Sequence, residues 1–244
     1  MIMKTFNGHI ALITGGAGGL GSALSRILAE NQFHVIVADV RKESVDKLVA
    51  EINSNGHKAS GLIIDLTNAA ELDNAIASIY EDFRRLDVLI NNAGIDLTVS
   101  VEEMPIEQWD RIMAVNLRAP FILSRAVFPL MRKEQQGGDI INIISTAALR
   151  AWPNASAYHA SKWGFLGFSH ALHTEGRKYG IRVTAVIAGG MQTPFLTDRF
   201  PDIDLTTLQD PANVAQTILH ILHTPQGSVV PEIKILPMKE TSWP

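Results

Sequence analysis

The chain has 244 residues, 46% of them hydrophobic and 19% charged, with a net charge of −4 and no cysteine. That length suits one large α/β domain, taken here as 1–244, and leaves little room for two. Disulfides, thiolate nucleophiles and cysteine zinc sites are excluded, no basic run offers a nucleic-acid footprint, and no apolar run approaches the roughly 18 residues of a membrane-spanning helix.

The N-terminal stretch MIMKTFNGHI lacks the apolar core of a signal peptide, so a cytoplasmic protein is expected. The first predicted strand, HIALIT from His9, runs directly into TGGAGGLG, Thr14 to Gly21. Gly16, Gly18 and Gly21 fit G-x-G-x-x-G, while Gly15, Gly19 and Gly21 fit a wider G-x-x-x-G-x-G spacing. Under either template, glycine lets the backbone turn tightly and approach a pyrophosphate with no Cβ in the way. Leu20, Leu24, Ile27 and Leu28 share one face of the helix that follows. Its first turn offers unpaired N–H groups and a positive dipole end.

The second strand, HVIVAD, ends on Asp39, twenty residues beyond Gly19, where a ribose-binding acid is expected. A carboxylate there accepts from the ribose 2′-hydroxyl and repels a 2′-phosphate. Arg41 stands close enough to accommodate that phosphate. NAD(H) is therefore favoured, with NADP(H) left open.

A helix follows with Val45, Leu48, Val49 and Ile52 on one face, then a strand GLIIDL from Gly61, then a helix striped by Leu72, Ile76, Ile79 and Phe83. The fourth strand, DVLINNAG, starts at Asp87. Ile106 to Arg132 reads as one long helix, kinked near Pro120 and Pro129. DIINIIS from Asp139 is the fifth strand, and Ala157 to Tyr179 the next helix. IRVTAVIAG from Ile181 leads into a loop, Met191 to Gln209, placed to cover a ligand. Val214, Ile218 and Ile221 stripe the last helix before VVPEIKIL from Val229. Runs of four or more apolar residues predict strands buried on both faces. Their alternation with helices predicts a Rossmann-type doubly wound α/β fold, with a seven-stranded parallel sheet and helices on both faces.

The glycine turn, NNAG (Asn91 to Gly94), Asn116 in MAVNLRAPF, Ser145 in NIIST and YHASK (Tyr158 to Lys162) together resemble the short-chain dehydrogenase/reductase family in its compact single-domain form, from Asn7 to about Leu236. The resemblance implies an NAD(P)-dependent oxidoreductase with Tyr158 as general acid/base. It implies that Lys162 lowers the tyrosine pKa and holds the nicotinamide ribose, that Ser145 bonds the substrate oxygen, and that Asn116 steadies a water in a proton relay. Thr14, Gly15, Gly18, Gly19, Leu20 and Gly21 would cradle the dinucleotide. Asp65 and Leu66 would flank its adenine, and Asn92, Ala93 and Gly94 would line its channel. Where the family usually carries Pro-Gly, this chain has Ala188-Gly189. Gly189, Met191 and Thr193 still align as carboxamide and pyrophosphate contacts, and loss of the proline is expected to loosen Gly189-Gly190. A homotetramer or homodimer is implied, pairing the two long helices, with Phe121, Phe128, Phe165 and Phe168 as anchors or as core.

The residues agree chemically. Tyr158 and Lys162 are one helical turn apart. A tyrosine ordinarily titrates near pH ~10, and a neighbouring ammonium favours its phenolate. Ser145 closes a strand at the end where ligands bind in such sheets.

The substrate pocket is expected between Ser145 and Tyr158 and in the loop after Thr193, from Ser145, Ala147, Leu149, Trp152 and Phe195. This apolar lining, with Arg150 the only nearby cation, favours a neutral small-molecule ketone or secondary alcohol. A 3-oxoacyl thioester reduced with NADPH, and a dinucleotide-binding, redox-sensing protein without catalysis, remain alternatives. Asp96 reads equally as a substrate contact or a loop residue, and His159 as pointing away from Tyr158. His170 with His173, and His220 with His223, lack a completing ligand in sequence, so no metal site is expected.

Overall fold

A computed structural model describes residues 6–133 and 137–239; the first five residues of MIMKTFNGHI lie outside them. The elements in order are β1 (Ile10–Thr14), α1 (Gly19–Glu30), β2 (His34–Asp39), α2 (Lys42–Ser54), β3 (Lys58–Ile63), α3 (Ala69–Phe83) and β4 (Val88–Asn91). Then come α4 (Ile106–Met113), α5 (Ala119–Lys133), β5 (Gly138–Ile143), α6 (Ser156–Gly176), β6 (Ile181–Ala188), α7 (Pro194–Thr197), α8 (Pro211–Leu222) and β7 (Glu232–Ile235). The strands form one sheet in the order β3-β2-β1-β4-β5-β6-β7, and every neighbouring pair is parallel. This is the doubly wound Rossmann-type fold. Its strand order reverses between β1 and β4, the place where such sheets leave a crevice for ligands.

Two-residue alternation along the strands feeds two separate cores. Ala11 and Ile13 of β1, with Val35 and Val37 of β2, pack against Leu24 and Leu28 of α1, Val45 and Leu48 of α2, and Val214 and Ile218 of α8. Ile10, Leu12 and Ile36 point the other way, onto Leu72 and Ile76 of α3 and onto Leu123 and Val127 of α5. Burial on both faces therefore holds for the interior strands. It does not hold for β3, an edge strand that starts at Lys58, three residues before the apolar run, and exposes side chains along much of its length. Among the described residues, no helix is long and apolar enough to cross a membrane.

The long helix expected over Ile106 to Arg132 is interrupted. Ala114–Arg118 is a π-helical turn in which Ala119 N–H reaches back to the Ala114 carbonyl. Pro120 supplies the reason: it has no N–H for the carbonyl four residues earlier, which is that of Asn116. Pro129 sits within α5. Phe165 is fully buried against Ile144, Ala148 and Leu166, so it belongs to the core and is no interface anchor. The loop Met191 to Gln209 is pinched at its base by a parallel bridge between those two residues.

Candidate active site

The two chain segments leaving β1 and β4 are tied across the switch point. Thr14 Oγ1 accepts from the backbone N–H of Asn92 (3.0 Å) and Ala93 (3.2 Å), and Asn92 Nδ2 donates to the Thr14 (2.9 Å) and Gly15 (3.2 Å) carbonyls. Both side chains are spent on holding the cleft floor in shape. The glycines leave no slack. Gly15 sits at φ +60°, and a Cβ on Gly21 would lie 2.0 Å from the Gly15 carbonyl oxygen. Thr193 rests on Gly19, bringing the loop after β6 onto the glycine turn.

The N-terminus of α1 has no side-chain cap and no acid in its first turn. An uncapped, glycine-flanked positive helix end fits a diphosphate. The residues present thus suit a dinucleotide. Asp39 is buried at the end of β2 and bound by Arg41 through Nε (3.0 Å), Nη2 (3.0 Å) and the backbone N–H (3.1 Å). Burial raises the Asp39 pKa, but the Arg41 bonds and the Ala17 amide outweigh it, and the net shift is downward. Arg41 itself is half exposed, and its Nη2 lies against Gly18. Asp65 is exposed and accepts from Thr67, while Leu66 packs on the core.

Tyr158 and Lys162 occupy the buried face of α6. Tyr158 is 8% exposed and Lys162 3%. Ser145 lies two residues beyond β5. Its hydroxyl accepts from the Ala147 N–H (3.1 Å), capping a short 3-10 turn, and also meets the Tyr158 hydroxyl. Lys162 Nζ donates to the carbonyl of Ile143, the last residue of β5 (2.8 Å), and lies 5.7 Å from the Tyr158 ring centre.

Burial dominates both titrations. It pushes the Tyr158 phenol up to about 12, against the downward pull of Ser145, and brings the Lys162 ammonium down to about 8. The expected acidification rests on Lys162 together with a positive nicotinamide ring; without the ring, desolvation sets the direction.

Asn116 is fully buried in the π turn. Its Oδ1 accepts from Ile95 N–H (2.9 Å), and its Nδ2 donates to the Ile95 carbonyl (2.8 Å) and to Ser161 Oγ (3.0 Å). These bonds fix the segment after NNAG and leave one lone pair of Oδ1 unused. Gly94 borders both Asn116 and Lys162. After β6, Gly189 N–H bonds the Ile235 carbonyl (2.9 Å) and Gly190 accepts from Gln209 (3.1 Å), so the segment lacking the proline is held from both sides.

Among the expected pocket residues, Ala147 and Phe195 cluster with Tyr158. Leu149 instead packs with Ile144 and Phe165, away from the tyrosine. Trp152 is 41% exposed and stacks edge-on to His159 at 4.3 Å. His159 Nε2 accepts from the Trp152 N–H (3.1 Å), which leaves Nδ1 to donate to the Ala147 carbonyl (2.8 Å). The imidazole thus fixes the pocket wall. Sequence reasoning missed one cation. Arg199, within the loop after Thr193, stacks 3.8 Å over the Phe195 ring and pairs with Asp96. The wall beside Tyr158 is therefore not purely apolar.

A family profile described as short chain dehydrogenase matches residues 9–204. A cyclopentanol dehydrogenase from a Comamonas species is 38% identical over 192 residues, covering 79% of this chain and 76% of that protein. A 3-oxoacyl-acyl-carrier-protein reductase from Thermotoga maritima is 33% identical over 223 residues, covering 88% and 90%. A metagenomic short-chain oxidoreductase crystallised with NADP superposes with a TM-score of 0.86 at 27% identity, covering 96% of this chain and 100% of that one.

Proposed function

The chain belongs to the short-chain dehydrogenase family, NAD(P)-dependent oxidoreductases on a Rossmann fold, and from that premise we propose that it moves hydride between NAD(H) and a small ketone or secondary alcohol, with Tyr158 as the acid/base. The observation that carries this reading is that Tyr158 and Lys162 share the buried face of α6, with Lys162 bonded to the last residue of β5 and Ser145 near enough to favour the phenolate. The nicotinamide supplies or takes the hydride. Ser145 donates to the substrate oxygen as its charge grows. Tyr158 gives that oxygen its proton in reduction and takes it back in oxidation. Burial holds the phenol up to about 12, and the positive charge of an oxidised nicotinamide would favour the phenolate when the site is filled. Lys162 would also hold the nicotinamide ribose. Thr14, Asn92 and Asn116 act through the loops they hold.

NAD(H) is the preferred cofactor in this reading, because the charged Asp39 carboxylate, engaged by Arg41 and the Ala17 amide, would repel a 2′-phosphate. Arg41, half exposed and touching the glycine turn, is what would admit NADP(H). The cyclopentanol dehydrogenase supports a secondary alcohol as substrate. The acyl-carrier-protein reductase supports the second reading, a 3-oxoacyl thioester.

A homotetramer or homodimer built on α5 and α6 is supported by a groove of about 410 Å³ that includes Phe121, Phe128, Phe168, Arg125 and Glu175. Its mixed charges suit a self-complementary contact, and sedimentation would give the assembly size. The absence of cysteine is compatible with a cytoplasmic setting.

The test is Tyr158→Phe. Turnover of a ketone panel should fall at least a thousandfold while NADH still binds. Equal turnover by the variant would remove the proposal.

A further inference from the structure

Asp96, after β4, and Arg199, after α7, are 103 residues apart in sequence, yet they meet near Tyr158. Asp96 follows Ile95, whose N–H and carbonyl are both held by Asn116, so its backbone is fixed. Arg199 is fixed as well. Its Nε donates to the Phe195 carbonyl (2.9 Å), its Nη1 to Asp96 Oδ2, and its plane covers the Phe195 ring. Phe195 in turn packs 5.7 Å from the Tyr158 ring.

The Asp96 side chain is only 5% exposed, and its Oδ1 is buried with no hydrogen bond of good geometry, the nearby Leu97 amide favouring its charge. Burial raises the Asp96 pKa, although Arg199, the Leu97 amide and His159 all favour the charged form. A buried ion pair is a weak contributor to stability, and a buried acceptor left unpaired is costly. Among the unpaired buried atoms of the described residues, Asp96 Oδ1 is the one that belongs to a carboxylate, and it lies near Tyr158.

We propose that Asp96, positioned by Arg199, is a specificity residue that accepts a hydrogen bond from a second hydroxyl of the substrate, so that the site selects diols and hydroxyketones over plain alcohols and ketones. A hydroxyl suits the pair because it can donate to Asp96 Oδ1 while tolerating the guanidinium alongside. An ammonium would be repelled by Arg199, and a carboxylate by Asp96. This deepens the dehydrogenase reading and rests on it for the identity of the reacting group.

The test uses cyclohexanol against cyclohexane-1,2-, 1,3- and 1,4-diol, each followed by NAD+ reduction and by its shift of the melting temperature in the presence of NAD+. The best diol should exceed cyclohexanol at least tenfold in kcat/KM and raise the melting temperature further. Asp96→Ala/Arg199→Met, which leaves no lone charge behind, should reduce that ratio to within about twofold. Asp96→Asn, retaining an amide acceptor, should recover part of it. A merely structural role would lower all four substrates alike. A wild-type ratio near one, or a ratio that survives in the double variant, overturns the proposal. If nothing is oxidised yet the diols still stabilise the protein in an Asp96-dependent way, the dehydrogenase reading fails and the hydroxyl site stands.

Discussion

The two walls of the cleft are built on different terms. On the cofactor wall most polar side chains are paired: Thr14 with the β4 loop, Asn92 with the glycine turn, Asn116 with Ile95, Asp39 with Arg41, while Asn91 Oδ1 at the end of β4 is not. On the substrate wall the ion pair of Asp96 and Arg199 leaves a buried carboxylate oxygen unmatched. The first wall is preorganised and can serve any dinucleotide redox step. The second is where the proposed choice of substrate lies. Both walls are tied by contacts between distant segments, Thr14 with Asn92 on one and Asp96 with Arg199 on the other, and the proposed selectivity rests on the second.

The largest effect expected on the cofactor wall is the loss of Tyr158. A thousandfold fall in kcat for Tyr158→Phe corresponds to about 4 kcal/mol of transition-state stabilisation. Fluorescence titration should find NADH affinity changed far less, which would separate chemistry from binding.

Next comes the charge of Lys162. Its pKa is about 8 in the folded protein against the usual 10.5, so the unfolded chain binds more protons between those values. Stability should therefore rise with pH across roughly 8 to 10.5, by at most about 3 kcal/mol. Above 10 the raised pKa of Tyr158 acts in the opposite sense. Urea titrations at pH 7.5 and 9.5 should show the rise in the wild type and not in Lys162→Met.

A smaller effect is expected at Asn116. Asn116→Ala leaves the Ile95 N–H and carbonyl without their partner and should cost about 2 kcal/mol in a denaturant melt. If that cost is absent, the segment carrying Asp96 is held by something else, and the contrast between the walls weakens.

The smallest effect belongs to Asp39→Ala. The ratio of NADH to NADPH efficiency should fall about tenfold, or ~1.4 kcal/mol, as the repulsion of a 2′-phosphate is lost and Arg41 is released. An unchanged ratio would mean that Asp39 serves only to hold Arg41.

Much of the cofactor wall was legible in the sequence because its chemistry is contiguous. The glycine turn, NNAG and the Tyr158–Lys162 pair each lie within a few residues, and seven apolar runs announced the sheet. The edge strand β3 was placed late because Lys58 to Ser60 carry no apolar run; an edge needs only one buried face. The π turn around Asn116 has no periodic signature, although Pro120 marked the place where the helix must give way. Phe165 looked like its neighbours on α6, and only the packing shows that it faces inward. Arg199 could not be linked to Asp96 from sequence. Loop residues have no period, and their meeting depends on where α7 turns the chain. The role of His159 was hidden for the same reason, since its partners Ala147 and Trp152 lie in an irregular segment.

The central claim is that one cleft, at the β1/β4 switch point, brings a buried phenol and ammonium to a dinucleotide seated on the glycine turn. A crystal structure at saturating NADH tests this most directly. The account predicts the diphosphate against the N-terminus of α1, the ribose hydroxyls within reach of Asp39 and Lys162, and the Tyr158 hydroxyl facing the nicotinamide. Phosphates bound elsewhere, or a Tyr158 hydroxyl turned away from the ring, would contradict it.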